Sequence, residues 1–247
     1  MTPKIKAIFL DSGNTLRVLV KDAEFQSQAR QQLAALVGAQ ESPDDFCEQL
    51  NVRYDMYKKR ATGTLLQASA TEIWTRWMLP DHPADQIAPL ADQLTTLWRN
   101  SRGRHVPRPD VKSIVIELYN RGYILGIITN TISETEIPAW LEADGLTQYF
   151  KAVVLSSKFG RRKPDPYIYS EASYAAGVSP ANCAYVGNNP SVDIMGAYQA
   201  GFGMVIILAQ PGVPGKEIST SQRKPDLVIH EIKDLLGIFP PFQNNNA

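Results

Sequence analysis

The chain has 247 residues, 44% of them hydrophobic and 20% charged, with a formal net charge of +0: the make-up of an ordinary globular protein with a good core. Zero net charge argues against a broad nucleic-acid surface, and Cys47 and Cys183 share no metal or redox spacing, so both are expected in the core. No apolar run approaches the roughly 20 residues that span a bilayer, and the N-terminus lacks an apolar stretch followed by a cleavage site, so the sequence predicts a cytoplasmic location and no membrane partner.

In chain order, "KAIFL" (Lys6 to Leu10) predicts a short strand buried on both faces. From about Asp22 to Trp98 helical patterns take over. Phe25, Ala29, Leu33 and Leu36 recur at helical spacing, and Phe46, Leu50, Val52, Tyr54 and Tyr57 do so less cleanly. "SPDDF" supplies a capping Ser42 and a proline at a helix start. "TEIWTRWML" predicts a helix stopped by Pro80, and "PADQIAPLADQLTTLW" another, with Pro89 as an interruption. Tyr54, Tyr57, Trp74 and Trp77 are expected inside this block. "SRGRHVPRP" reads as a hinge carrying His105.

Beyond it strands and helices alternate. "VKSIVIELYNRG" is a helix and "YILGIITN" a strand; "ETEIPAWLEADG" is a helix and "KAVVLS" a strand. "DPYIYSEASYAAG", "CAYVGN", "SVDIMGAYQAG" and "GMVIIL" continue the pattern, and "DLVIHEIKDLLGIF" closes it with a strand and a helix before a mobile tail, "PPFQNNNA". Such alternation predicts right-handed crossovers and a parallel sheet with helices on both faces. The expected division is a core from residues 1–17 and 105–247 and a helical insertion over 18–104.

In open α/β sheets ligands bind outside the carboxyl ends of the strands. Four of these ends carry polar residues: Asp11, then Thr129-Asn130, then the "KFGRRKPDP" loop with Lys163, then "GNNPSVD" with Asn188, Asn189 and Asp193. A carboxylate there can act as a nucleophile, and a lysine can keep it ionised. A hydroxyl and turn N–H groups can hold phosphoryl oxygens, and a second carboxylate can bind Mg²⁺ or orient the lysine.

The segments "FLDSGNTL", "IITNT", "RRKPDPYIY" and "YVGNNPSVDIMGAYQAG", in this order, resemble the haloacid dehalogenase-like (HAD) hydrolase superfamily. The resemblance implies a Rossmann-like three-layer α/β/α core and a helical cap in the insertion. It implies a phosphatase acting on a small phosphorylated substrate through an aspartyl-phosphate at Asp11, as a monomer or homodimer. Thr129 and Lys163 would share the catalytic work, and Ser12, Gly13 and Asn130 would contact substrate. Mg²⁺ would be held by Asp11, the Gly13 carbonyl, Asn188 and Asp193.

The chain departs from the family pattern twice. Gly13 stands where phosphatases carry the acid that protonates the leaving group, and Asn188 where they carry an acidic Mg²⁺ ligand. These departures leave two alternatives open: a weakened or non-catalytic binding protein, and a 2-haloacid dehalogenase-type hydrolase. In the latter, Arg17 or Arg30 would receive the halide, and Asn189 echoes a dehalogenase asparagine.

Overall fold

The computed structural model describes residues 4–209 and 223–241. Residues 242–247 of the tail expected to be mobile lie outside them. Six parallel strands form one sheet in the order β5-β4-β1-β6-β7-β8. They are β1 (Ala7–Leu10), β4 (Ile124–Thr129), β5 (Phe150–Leu155), β6 (Cys183–Gly187), β7 (Met204–Leu208) and β8 (Leu227–Ile229).

β1 is buried at every position because helices cover both faces. Ile8 and Leu10 face one apolar layer with Val111 and Ile114 of α6 (Val111–Asn120) and Ile137 and Trp140 of α7 (Glu136–Ala143). Ala7 and Phe9 face the other, with Ile168 and Tyr169 of α9 (Pro166–Ala176) and Ile194 of α10 (Pro190–Gln199). A one-residue turn of the strand thus sends side chains to opposite cores. The result is the three-layer α/β/α fold expected from the alternation. A short α8 (Ser156–Phe159) follows β5, and α11 (Leu235–Ile238) follows β8.

Between β1 and α6 the chain forms α1 (Ala23–Val37), α2 (Pro43–Thr64), α3 (Ala70–Ile73), α4 (Ala84–Ile87) and α5 (Ala91–Asn100). Ser42 caps α2 as its sequence indicates, its hydroxyl accepting from Asp45 N at 3.2 Å. The long helix around Pro89 is instead two pieces joined by a 3₁₀ turn at Ala88–Leu90, since proline has no N–H to continue the ladder. "TEIWTRWML" begins as α3 under a Ser69 cap and widens into a π turn at Trp74–Met78. Leu33, Phe46, Leu50, Tyr57, Trp74 and Trp98 build a separate apolar cluster there, which Ile132 from the loop after β4 enters. Cys47 is buried in it, and Cys183 in the sheet.

The segments on either side of this helical block pair as an antiparallel ribbon, β2 (Arg17–Val20) with β3 (Arg104–Pro107). The sequence suggested only a hinge here, because four half-exposed residues show no readable period. The block also touches the core through its own backbone. Gln67 N donates to Gly160 O at 2.9 Å and Arg162 N donates to Leu65 O at 3.1 Å, next to a bridge between Leu66 and Arg161.

Candidate active site

Strand register assembles the site. Leu10 lies opposite Ile127 on β4 and Val186 on β6, so Asp11, Thr129 and Gly187 emerge at one sheet edge. The Asp11 N–H stays in the ladder, donating to Val186 O at 2.8 Å, and the chain then turns. The Ser12 carbonyl accepts from Leu16 N and Arg17 N, both at 2.9 Å. Asn14 takes the left-handed conformation this turn requires, φ 55, which asparagine tolerates better than most residues.

Lys163 is the hub, with only 3% of its surface exposed. Its Nζ lies 2.9 Å from Asp11 Oδ1 and 2.8 Å from Asp193 Oδ1, and donates to the Tyr185 hydroxyl at 2.5 Å. Asn130 fixes the lysine backbone from both sides. Its Oδ1 accepts from Lys163 N at 2.8 Å and its Nδ2 donates to Lys163 O at 3.0 Å. Expected to touch substrate, Asn130 has both amide atoms engaged in aiming the lysine instead.

Asp193 is fully buried and all its acceptor positions are in use. Oδ1 takes Lys163 and, at 3.0 Å, the Tyr185 hydroxyl; Oδ2 takes the N–H groups of Asn188 at 3.1 Å and Asn189 at 2.8 Å. Of the two roles open to this carboxylate, binding Mg²⁺ or orienting the lysine, its contacts match the second and leave no acceptor position over for the cation that the resemblance implies. Gly187 makes the arrangement possible, since a Cβ there would lie 2.3 Å from Asp193 Oδ2. Gly187→Ala is therefore expected to destabilise the fold by about 1–3 kcal/mol, read from denaturant melts. An unchanged midpoint would contradict this close packing.

The charges settle accordingly. Burial pushes the Asp11 carboxyl up, Lys163 pulls it down and Asp193 pushes it up again; a Thr129 hydrogen bond also favours the ion, and the net direction is upward. Burial pulls the Lys163 ammonium down, but Asp11 and Asp193 outweigh it and hold the lysine protonated above its ordinary value. Burial beside both carboxylates lifts the Tyr185 phenol well above its ordinary value, so it stays neutral.

The outer oxygen of Asp11 faces Asn188. In the amide orientation that matches donors to acceptors, the Asn188 nitrogen donates to Gly13 O at 2.8 Å, to Asp11 Oδ2 at 3.2 Å and to Thr15 Oγ1 at 3.2 Å. Asn189 caps α10 through Ser191 N. Tyr185 and Thr15 were not legible as site residues. Tyr185 sits two positions before Gly187 on the same strand face, which is the only signal that could have marked it.

The candidate halide arginines are occupied elsewhere. Arg17 bonds the His105 carbonyl at 2.6 Å and Glu136 at 3.3 Å, and Arg30 pairs with Asp44 at 2.6 Å. His105 lies in β3 beside Glu136 and Arg99, where burial and Arg99 push its pKa down to about 4. Arg17, Arg99, His105, Glu136 and Trp140 line a cavity of about 410 Å³ between the block and the core, and none of Asp11, Thr129 or Lys163 lines it.

A family sequence model described as haloacid dehalogenase-like hydrolase matches residues 14–207. The N-acylneuraminate-9-phosphatase of Rattus norvegicus is 24% identical over 238 residues, covering 94% of this chain and 92% of its own. Among solved structures, a 2-haloacid dehalogenase from Pseudomonas syringae pv. Tomato DC3000 superposes with a TM-score of 0.67 at 23% identity, covering 95% of this chain and 97% of its own. A HAD phosphatase from Thermococcus onnurineus does so with a TM-score of 0.64 at 21% identity, covering 96% and 99%. The fold is thus shared by proteins named for two different leaving groups, and the choice between them rests on the side chains.

Proposed function

Because this chain belongs to the haloacid dehalogenase-like hydrolase family, we propose that it hydrolyses small phosphate esters or anhydrides through a covalent intermediate on Asp11, with the helical block over residues 18–104 acting as the cap that closes on the substrate. The observation that carries this reading is the buried contact of Asp11 Oδ1 with Lys163 at 2.9 Å, at the meeting point of three strand ends. The phosphatase among the full-length relatives supports phosphate over halide, as do the engaged Arg17 and Arg30.

In the first step an Asp11 carboxylate oxygen attacks phosphorus and the bond to the leaving oxygen breaks, the leaving group taking the electron pair. Lys163 balances the charge around Asp11, and the Thr129 hydroxyl steadies its carboxylate. Water then attacks the phosphorus of the aspartyl-phosphate, returning Asp11 and releasing inorganic phosphate. No side chain at residue 13 protonates the departing oxygen, so good leaving groups, acyl and aryl phosphates, are favoured.

Mg²⁺, expected from the resemblance, meets a poor donor set here. Among the described residues no group of three acidic, His or Cys side chains surrounds a point. Asp193 is committed to Lys163 and to two N–H groups, and Asn188 presents a donor to the place that Asp11 Oδ2 and the Gly13 carbonyl face. As hydrogen-bonded, these residues do not suit a hard cation, which requires oxygen ligands.

Two results test the reading. A Cβ at residue 13 meets nothing within 4 Å, so the side chain of Gly13→Asp starts in open space. It is expected to raise the rate on alkyl phosphates by roughly 10²–10⁴-fold while changing aryl phosphates much less. Equal turnover of aryl and alkyl esters by the unaltered protein would remove the basis for this prediction. For pH, Asp11 must be ionised to attack, and its pKa is raised. The rate is expected to fall as pH drops through a limb lying above the ordinary carboxylate value of 3.8; a limb at or below 3.8 in the kcat/KM profile contradicts the burial effect.

A further inference from the structure

The Asn188 side chain holds a place that only a cation or a hydrogen-bond donor can fill. Three oxygens converge on its terminal atom: Gly13 O at 2.8 Å, and Asp11 Oδ2 and Thr15 Oγ1 at 3.2 Å. Turned the other way, Asn188 Oδ1 accepts from Thr15 Oγ1 at 3.2 Å but faces the Gly13 carbonyl and the Asp11 carboxylate as one acceptor against two. Acceptors at such distances repel unless a positive centre lies among them. The nitrogen-inward orientation removes that conflict with no added ion. The amide's partners are set by the turn at Ser12 and by the N-terminal approach to α10, both tied down by backbone hydrogen bonds.

We propose that the Asn188 amide group stands in for a divalent cation. Its N–H groups supply the positive end that steadies Asp11 Oδ2 and orients the Gly13 carbonyl, while Lys163 serves Asp11 Oδ1 from the other side. The carboxylate is then held by a lysine and an amide, and the site is complete without metal. A divalent ion can enter only by turning the amide over, which gives up the hydrogen bonds to Gly13 and Asp11, and it would then face a single free carboxylate oxygen. Asn188 is thus a positioning residue whose identity sets the metal requirement.

This inference rests on the placement of Asp11 described above but not on its turning over substrate. The test therefore reads metal binding directly. Chelator-treated wild type and Asn188→Asp are compared by thermal melting and calorimetric titration with MgCl₂. Wild type is expected to show no Mg²⁺-dependent rise in melting temperature up to about 10 mM and no saturable heat. Asn188→Asp sets a second carboxylate beside Asp11, so it is expected to melt lower without metal and to recover with Mg²⁺, gaining at least about tenfold in affinity. Equal Mg²⁺ binding by the two proteins overturns the proposal, and so does absence of binding by both, since the place would then not be a cation's. Should Asn188→Asp not fold, wild-type crystals soaked in MnCl₂ decide the matter by anomalous scattering. A manganese peak between Asp11 and the Gly13 carbonyl refutes the proposal, and its absence with the amide nitrogen still inward supports it. Loss of aryl-phosphate hydrolysis is a separate result and bears only on the proposed function.

Discussion

Asp11→Asn is expected to lower aryl-phosphate turnover by at least about 10⁴-fold while leaving the protein folded. Removing a nucleophile removes the covalent route and not merely an accelerating contact, so the loss should approach the full catalytic effect. The environment of Asp11 adds a second, opposite expectation. Its carboxyl titrates above the ordinary range because burial outweighs the help from Lys163, which means that the ion is held at a cost to the fold. A neutral asparagine removes that cost, and Lys163 keeps Asp193 as partner. The variant should therefore melt at the same temperature or higher. Inactive but equally stable protein fits a reactive centre built against local stability. If Asp11→Asn keeps its activity, the covalent route is wrong. If both proteins are inert toward acyl, aryl and alkyl phosphates and toward 2-haloacids, the chain binds a ligand without transforming it.

The second large effect concerns Lys163. Lys163→Met should both abolish activity and destabilise the fold by about 3–5 kcal/mol, the usual result of stranding a buried ionic partner. For a chain of this size that corresponds to a fall in melting temperature of roughly 6–20 °C. Asp11 and Asp193 would then face one another with no cation between them. The pH dependence separates this from a simple packing defect. Burial already raises the Asp11 carboxyl and Lys163 is what pulls it down, so without the lysine protonation of Asp11 relieves the folded state. The deficit should narrow as pH falls through that raised value and widen again as it rises. Lys163→Arg keeps the charge but is too large for a cation that already contacts Asp11, Asp193 and Tyr185. A deficit in Lys163→Met that does not change with pH would place the loss in packing alone.

Much of this could be read from the chain itself, and the reasons are physical. β1, β4, β6 and β7 are short apolar runs bounded by turns, and α6, α9 and α10 carry regular apolar spacing, so their order already implies a parallel sheet. Asp11 and Thr129 stand at or just past strand ends, Lys163 in the loop after α8 and Asp193 in the first turn of α10, so the connections leaving the same side of the sheet bring them together. β2 and β3 were illegible because a four-residue ribbon owes its existence to pairing across more than eighty residues. Tyr185 was hidden by its apolar strand. The division of labour within the site was also hidden. Asn130 and Asp193 could as well have faced a ligand; only the folded chain shows the first bonded to the backbone of Lys163 and the second to its ammonium. Gly13 and Asn188 were visible as departures, but sequence could not say whether room remained beside them. The open space at Gly13 and the crowded amide at Asn188 turn out to be opposite situations.

The backbone bonds that tie Leu65 and Gln67 of the helical block to Arg162 and Gly160 lie one and three residues ahead of the lysine. These bonds anchor the segment from which Lys163 projects on one side, and Asn130 holds the Lys163 backbone on the other. If the block acts as the proposed cap, its position and that of the Lys163 ammonium are coupled through these few bonded residues, so the cap's seat on the core and the partner of Asp11 are one structural unit.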